Sequence, residues 1–246
     1  MHGLKYFKIE KLGIKQINRP TTLNCRVDLG VIPPYALTPD YKTMQVTQQR
    51  YYTPEEYLEL ESAADYKSEY IDGKIIPMAG GSTNHNRIAL NLSAALNFAF
   101  RQQDYEVFIG DVRLWIPNKR IYTYPDVMVI AGEPEYFNNR TDTITNPQVI
   151  VEVLSKSTKG YDREDKFKAY RTIATFREYL LIDQTRIHVD QYSQTGKKRW
   201  ELREYDEEDQ AIALTSVPFE IYIQDLYNKV KFSVDDEGAI DVGEED

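Results

Sequence analysis

Cysteine occurs once in the 246 residues, as Cys25. That excludes an internal disulfide and any multi-cysteine zinc site, and it suits a reducing, cytoplasmic compartment. Histidine is nearly as scarce. His2, His85 and His188 are scattered, with no His-Glu-x-x-His pair to mark a helical zinc site. No apolar run approaches the roughly 18 residues of a membrane helix. The N-terminal MHGLKYFKIEKLGIK is basic but lacks the apolar stretch of a secretory signal. A Gly-x-Ser-x-Gly elbow and a Walker loop are both missing, so a serine hydrolase or a P-loop enzyme finds no support.

Positive charge is also in deficit. The net charge is −9 and the pI near 5.0, which at first argues against a nucleic-acid partner. The charge is unevenly placed, however. The last twelve residues, DDEGAIDVGEED, carry seven carboxylates and no base, leaving −2 on the rest. Between Lys156 and Arg177 the balance reverses, with seven Lys and Arg against Asp162, Glu164 and Asp165. Such a basic face is compatible with phosphate contacts and equally with an ordinary solvated helix.

The chain divides into three parts. Met1 to Gln49 has no sustained periodicity and contains Pro33-Pro34 and Thr38-Pro39-Asp40, which reads as a loosely structured extension, with Met44 as a natural start for the folded part. Arg50 to Phe232 carries the periodic segments, and Ser233 to Asp246 is an acidic tail. Within the middle part, Thr53-Pro54-Glu55-Glu56 predicts a helix start with a capping box. SEYIDGKIIPM, from Ser68 to Met78, predicts a hairpin turning at Asp72-Gly73. A long amphipathic helix is expected from His85 to Gln102. Strands are expected over Glu106–Ile116, Tyr124–Ala131 and Pro147–Leu154, then a helix over Tyr161–Thr175. Further strands follow from Glu178 to Leu214, and a closing segment over Ile221–Val230 reads as helical. This order implies an α/β or α+β fold with a mixed central sheet flanked by helices.

The chemistry lies in two carboxylates. YPDVMVI places Asp126 at the mouth of an apolar strand, and NPQVIVEVLSKST places Glu152 inside another. An unpaired buried carboxylate is expensive, so such a group pairs, neutralises or binds a metal. If the two strands pair, Asp126 and Glu152 reach one point, where two negative charges need a cation between them. Oxygen-only ligation selects a hard ion, Mg2+ or Mn2+, whose main use is phosphoryl chemistry. Taken alone, Pro125-Asp126 is also a common turn pair.

These residues carry a resemblance. Pro125-Asp126, Glu152 in Val-Glu-Val-Leu-Ser-Lys-Ser-Thr, Asp162-x-x-x-Lys166-x-x-x-Tyr170 and Glu178-Tyr179-Leu-Leu-Ile-Asp183 together resemble the Uma2 family of the PD-(D/E)xK nuclease superfamily. The hairpin Glu69-Tyr-Ile-Asp-Gly-Lys and His85 at the head of the long helix match as well, so the likeness spans about Tyr52 to Lys229. The resemblance implies a restriction-endonuclease-like fold and a divalent-metal-dependent endonuclease acting on DNA. It implies Asp126 and Glu152 as metal ligands and Glu69 as a third carboxylate, all three converging on one ion. Leu154 stands where the superfamily motif has its lysine, and Lys166 of the following helix takes that place, with Lys156 and Lys168 as competitors. His85, Lys156 and Lys168 are candidate substrate contacts. The resemblance further implies a homodimer, with the strands from Arg186 to Leu214 available to an interface. A catalytically silent protein that binds nucleic acid or a partner protein through the same cleft is the alternative.

Overall fold

The computed structural model describes residues 50–155 and 159–232. The N-terminal extension, the acidic tail and Lys156 lie outside the described residues.

The chain enters through α1 (Pro54–Ala63), and its start is built as the sequence predicts: Thr53 Oγ1 accepts from the Glu56 amide at 3.1 Å while Glu56 accepts from the Thr53 amide at 2.9 Å. Strands β1 (Ser68–Ile71) and β2 (Lys74–Pro77) form the expected hairpin. Its two turn residues have φ of 41° at Asp72 and 95° at Gly73, the mirror-image turn that suits strand twist. A side chain at Gly73 would meet the Tyr51 ring at 2.6 Å and would be strained at this positive φ, so glycine suits the position. Helix α2 (Thr83–Phe100) is capped by Ser82, which accepts from the His85 amide.

The segment Glu106–Ile116 is not one strand. It breaks at Gly110-Asp111 into β3 (Tyr105–Ile109) and β4 (Arg113–Ile116), which belong to different sheets. The Gly-Asp pair is a turn signal inside an apolar run, and the Gly110 amide is satisfied by the Asp126 carbonyl at 3.2 Å. Next come β5 (Ile121–Thr123), β6 (Val127–Ala131), β7 (Thr143–Ile144) and β8 (Val149–Leu154). The expected regular helix over Tyr161–Thr175 is instead a composite. It runs through α3 (Lys159–Tyr161), a π-helical turn (Asp162–Lys166) and α4 (Phe167–Tyr170). Beyond it lie β9 (Glu178–Asp183), β10 (Val189–Gly196), β11 (Arg199–Tyr205), β12 (Ala211–Ala213) and β13 (Glu220–Tyr222). The closing helical segment shrinks to α5 (Ile223–Leu226), because the residues before it pair as β13 with β12.

The fold is therefore α+β with mixed sheets. A five-stranded sheet has the order β2-β1-β5-β4-β7 and a six-stranded sheet the order β11-β10-β9-β8-β6-β3, with a two-stranded β12-β13 beside them. β8 and β9 are parallel neighbours joined through the composite helix, as a parallel pair requires. Strand alternation separates two cores. Val127, Val129, Val149, Val151 and Val153 pack against Ile88, Leu92, Leu96 and Phe100 of α2. Met128, Ile150 and Leu154 face Leu114 and Ile116 of the other sheet, with Ala169 and Tyr170 of α4. Glu152 has the parity of this second face. A third cluster, Tyr57, Tyr70, Trp115 and Tyr122, lies on the five-stranded sheet, so much of the chain's tyrosine content is core.

Two acids outside the cluster of Asp126 and Glu152, one buried and one half-exposed, are held by the fold. Glu178 is fully buried and accepts from the Thr215 and Ser216 amides, both their hydroxyls, Gln191 and Ser193. Glu178→Ala leaves these donors unpaired, and since one bond to a charged group contributes about 1.5–3 kcal/mol, a loss of about 3 kcal/mol or more is expected. Thermal unfolding reads this as a fall of roughly 6 °C or more for a chain of this size. Asp142 is different in kind. Its bonds to Arg140, together with Thr143 and Arg113, hold its carboxyl down at about 2 against partial burial. A depressed carboxyl stabilises above the unfolded value of about 3.9 and loses that contribution as pH falls through its folded value. The urea-midpoint difference between wild type and Asp142→Asn should thus be present at pH 6 and close as pH drops from about 4 toward 2. A difference that persists at low pH would contradict it.

Candidate active site

Glu152 sits in a strand whose six residues are all buried, and its own exposure is 4 %. Burial of that kind needs a counter-charge, and the structure supplies Lys166. The ammonium nitrogen lies 3.1 Å from Glu152 Oε1, 3.1 Å from Asp162 Oδ1 and 3.4 Å from Glu69 Oε1. These four side chains come from three elements: Glu69 from β1 in one sheet, Glu152 from β8 in the other, and Asp162 and Lys166 from the π turn. The expected cluster of Glu69, Glu152 and Lys166 is thus brought together across the gap between the sheets. The Tyr170 hydroxyl donates to Glu152 Oε1 at 2.6 Å, and the Thr123 hydroxyl donates to Glu69.

The π turn explains how Asp162 and Lys166 share this gap. A π turn widens the helix by one residue and commonly marks a functional segment. Here the Tyr179 hydroxyl donates to the Asp162 carbonyl at 3.0 Å, which supports the widened turn from β9. The hydroxyl of Tyr161 is also buried, with no hydrogen-bond partner among the described residues, and the Lys166 ammonium lies 5.6 Å from its ring.

Asp126 stands one residue before β6. The register that pairs Val127 with Val151 places it opposite Glu152 on the same face. Both its oxygens are engaged: Oδ2 accepts from the Val153 amide at 2.7 Å and Oδ1 is 2.9 Å from His85 Nε2. Ser82 caps α2 so that His85 is delivered from its first turn. Lys168 is not part of the cluster. It is exposed and pairs with Glu164 and Asp165 on the solvent side of the helix. Lys156 lies outside the described residues.

Electrostatics follow from this crowding. Burial raises the Glu152 carboxyl well above the usual range; Lys166 pulls it down, and Asp126 and Asp162 push it up again. Burial alone would weaken the Lys166 ammonium, but Glu152, Glu69 and Asp162 together outweigh it and the amine stays charged. His85 is partly desolvated, which disfavours its charge, yet its bond to Asp126 and the nearby Asp162 raise it on balance. Four carboxylates thus face one ammonium and one imidazole.

A hard divalent cation fits the donor type and the charge: Asp126, Glu152 and Glu69 offer only oxygen, and the acids exceed the bases. The side chains do not, however, place three such oxygens within 4.8 Å of one another, and the expected convergence of Glu69, Asp126 and Glu152 on one coordination sphere is not met in this arrangement. The reason is local. Lys166 occupies the point between Glu69 and Glu152, and Asp126 is turned toward Val153 and His85.

Helix spacing puts Asp162, Lys166 and Tyr170 on one stripe that should line or border the site, and Asp162 and Tyr170 both reach the cluster. The expected strands stop at Ile116 and resume at Tyr124, so Thr123 of β5 carries no expected role. Among the described residues, no helix is long and apolar enough to cross a membrane.

Comparison with known proteins shows the family and the fold. The family model described as "Uma2: Putative restriction endonuclease" matches residues 54–224. The uncharacterized protein slr1290 of Synechocystis is 34% identical over 180 residues, 73% of this chain and 93% of that protein. Another Synechocystis protein, the uncharacterized sll1609, is 48% identical over 161 residues, 65% of this chain and 91% of its own. The crystal structure of a "putative nuclease belonging to DUF820" from Anabaena variabilis shares the fold with a TM-score of 0.59 at 22% identity, covering 72% of this chain and 97% of that one. The chain belongs to the Uma2 family of restriction-endonuclease-like proteins.

Proposed function

We propose that the protein is a divalent-metal-dependent endonuclease that hydrolyses DNA phosphodiester bonds at the cluster of Glu69, Asp126, Glu152 and Lys166. One observation supports this most: carboxylates from both sheets meet a buried lysine, with Asp126 opposite Glu152 in register. Asp126 and Glu152, with Glu69 beside them, would hold Mg2+ or Mn2+. When bound, that ion lowers the pKa of a water and polarises a phosphoryl oxygen.

The protein's own groups do the positioning. Tyr170 fixes one oxygen of Glu152, and His85 with the Val153 amide orients Asp126. Lys166 carries three N–H donors in a desolvated setting. Its ammonium can hold an attacking water and stabilise charge that develops on the phosphate, where low dielectric makes it most effective.

Duplex DNA carries two strands of opposite direction, and a two-fold dimer would present one site to each. Sedimentation at micromolar concentration is expected to show the dimer, and a monomer there would remove this part of the proposal. The activity itself is tested with supercoiled plasmid. Cleavage is expected in Mg2+ or Mn2+ and none with a chelator, and uncut plasmid under all conditions would favour a silent, binding member.

A further inference from the structure

Far along the six-stranded sheet from Asp126, a second cluster joins a histidine to two acids. His188 stands one residue before β10 and Asp190 is the strand's second residue, so both project from one face of extended backbone. Glu204 of β11 lies directly opposite Asp190 in the ladder. His188 Nε2 is 2.9 Å from Asp190 Oδ1 and 3.8 Å from Glu204 Oε1, and the three ligand atoms all lie within 4.8 Å of one another. Among the described residues, no other group of three His, Cys, Asp or Glu side chains meets that condition.

We propose that His188, Asp190 and Glu204 form a second metal site, selective for a zinc-like divalent transition ion. Bonds of about 2.0–2.1 Å at tetrahedral angles separate neighbouring ligand atoms by roughly 3.3 Å. The separations of 2.9 and 3.8 Å fall on either side of that value. The three atoms are close enough for small side-chain shifts to bring them onto one ion, and the exposed side of Glu204 leaves a further position to solvent.

A hydrogen bond between His188 and Asp190 would explain part of this arrangement without an ion. Two features go further. Glu204 is long and mostly exposed, yet one of its carboxylate oxygens lies 3.8 Å from the imidazole nitrogen. Asp190 is also 1% exposed, and its Oδ2 makes no directed hydrogen bond even though an Arg163 nitrogen lies at 2.7 Å. The close guanidinium balances one negative charge and leaves the carboxylate short of a directed partner. Its Oδ1 is the oxygen that faces His188 at 2.9 Å, on the side that an ion would share with Glu204.

Donor chemistry separates this site from the first. Imidazole with carboxylate suits zinc or cobalt, whereas the oxygen-only cluster around Glu152 suits magnesium or manganese. The two sites are also linked through the chain. Asp190 contacts Arg163, which is the neighbour of Asp162 in the π turn. An ion held by His188, Asp190 and Glu204 would join β10 to β11 and fix the carboxylate against which that turn rests.

The test uses the full chain with excess Mg2+ present and Co2+ as the probe, read by the strong visible absorption of tetrahedral cobalt. Wild type is expected to show the band and to lose it when Zn2+ is added. Glu204→Gln, a surface change that leaves the fold intact, and His188→Gln are each expected to weaken Co2+ binding by about tenfold or more. A wild type without the band, or a band of equal affinity in both variants, would overturn the site.

Discussion

Replacing Lys166 with methionine is expected to lower the melting temperature by roughly 10 °C, the largest stability loss of any single change at the candidate site. Methionine keeps most of the side-chain volume, so the effect comes from charge. Glu69, Glu152 and Asp162 surround the ammonium at 3.1–3.4 Å and are all buried. Removing one partner of a buried ion cluster typically costs about 3–5 kcal/mol, because the charges left behind cannot be solvated. The pH dependence has a definite sign. Without the ammonium, the Glu152 carboxyl, already raised by burial, is raised further. A carboxyl raised in the folded state stabilises that state while protonated and loses this as pH climbs above the unfolded value. Wild-type Glu152 is itself held up at about 8, so both proteins lose this contribution in parallel below that value, and the gap between wild type and Lys166→Met should widen from about pH 8 to about pH 10. Equal melting curves at both pH values would mean that Lys166 is not the counter-charge of this cluster.

Asp126→Asn is expected to abolish metal-dependent cleavage, by at least about 100-fold, while the melting temperature changes by only a few degrees. The structure dictates this choice of residue. Asp126→Ala would strand the Val153 amide, a part-buried donor whose loss of partner costs about 1–3 kcal/mol, so a change in activity could be confused with a change in folding. Asparagine avoids that. Its carbonyl oxygen can accept from Val153 and its amide can donate to a neutral His85 imidazole, so both contacts survive while the charge is removed. A variant that folds and still cleaves at the wild-type rate would take Asp126 out of the chemistry.

What the sequence disclosed and what it hid have physical causes. The capping box at Thr53, the turn at Asp72-Gly73 and the all-apolar strand around Glu152 are local codes, and each forms as its residues dictate. Glu152 was legible because a carboxylate in a run of Val, Ile and Leu has no bland surroundings. The division of the strands between two sheets was not. It turns on one Gly-Asp break, and the apolar residues on either side look alike to any periodicity. The π turn was hidden for a similar reason. Its support comes from Tyr179 and from the charges it faces, all distant in sequence, and helix periodicity alone reads Asp162 to Tyr170 as regular. The position of Asp126 was visible, but its engagement with His85 and Val153 depends on the capping of α2 and on strand register.

The central claim, that the carboxylates facing Lys166 form a site for a hard divalent cation, is tested most directly by calorimetric titration of Mn2+ into wild type and Asp126→Asn. The account predicts saturable binding to wild type that Mg2+ competes away, and loss of that Mg2+-competed binding in a folded Asp126→Asn. Binding of equal affinity and stoichiometry in the two proteins would contradict it.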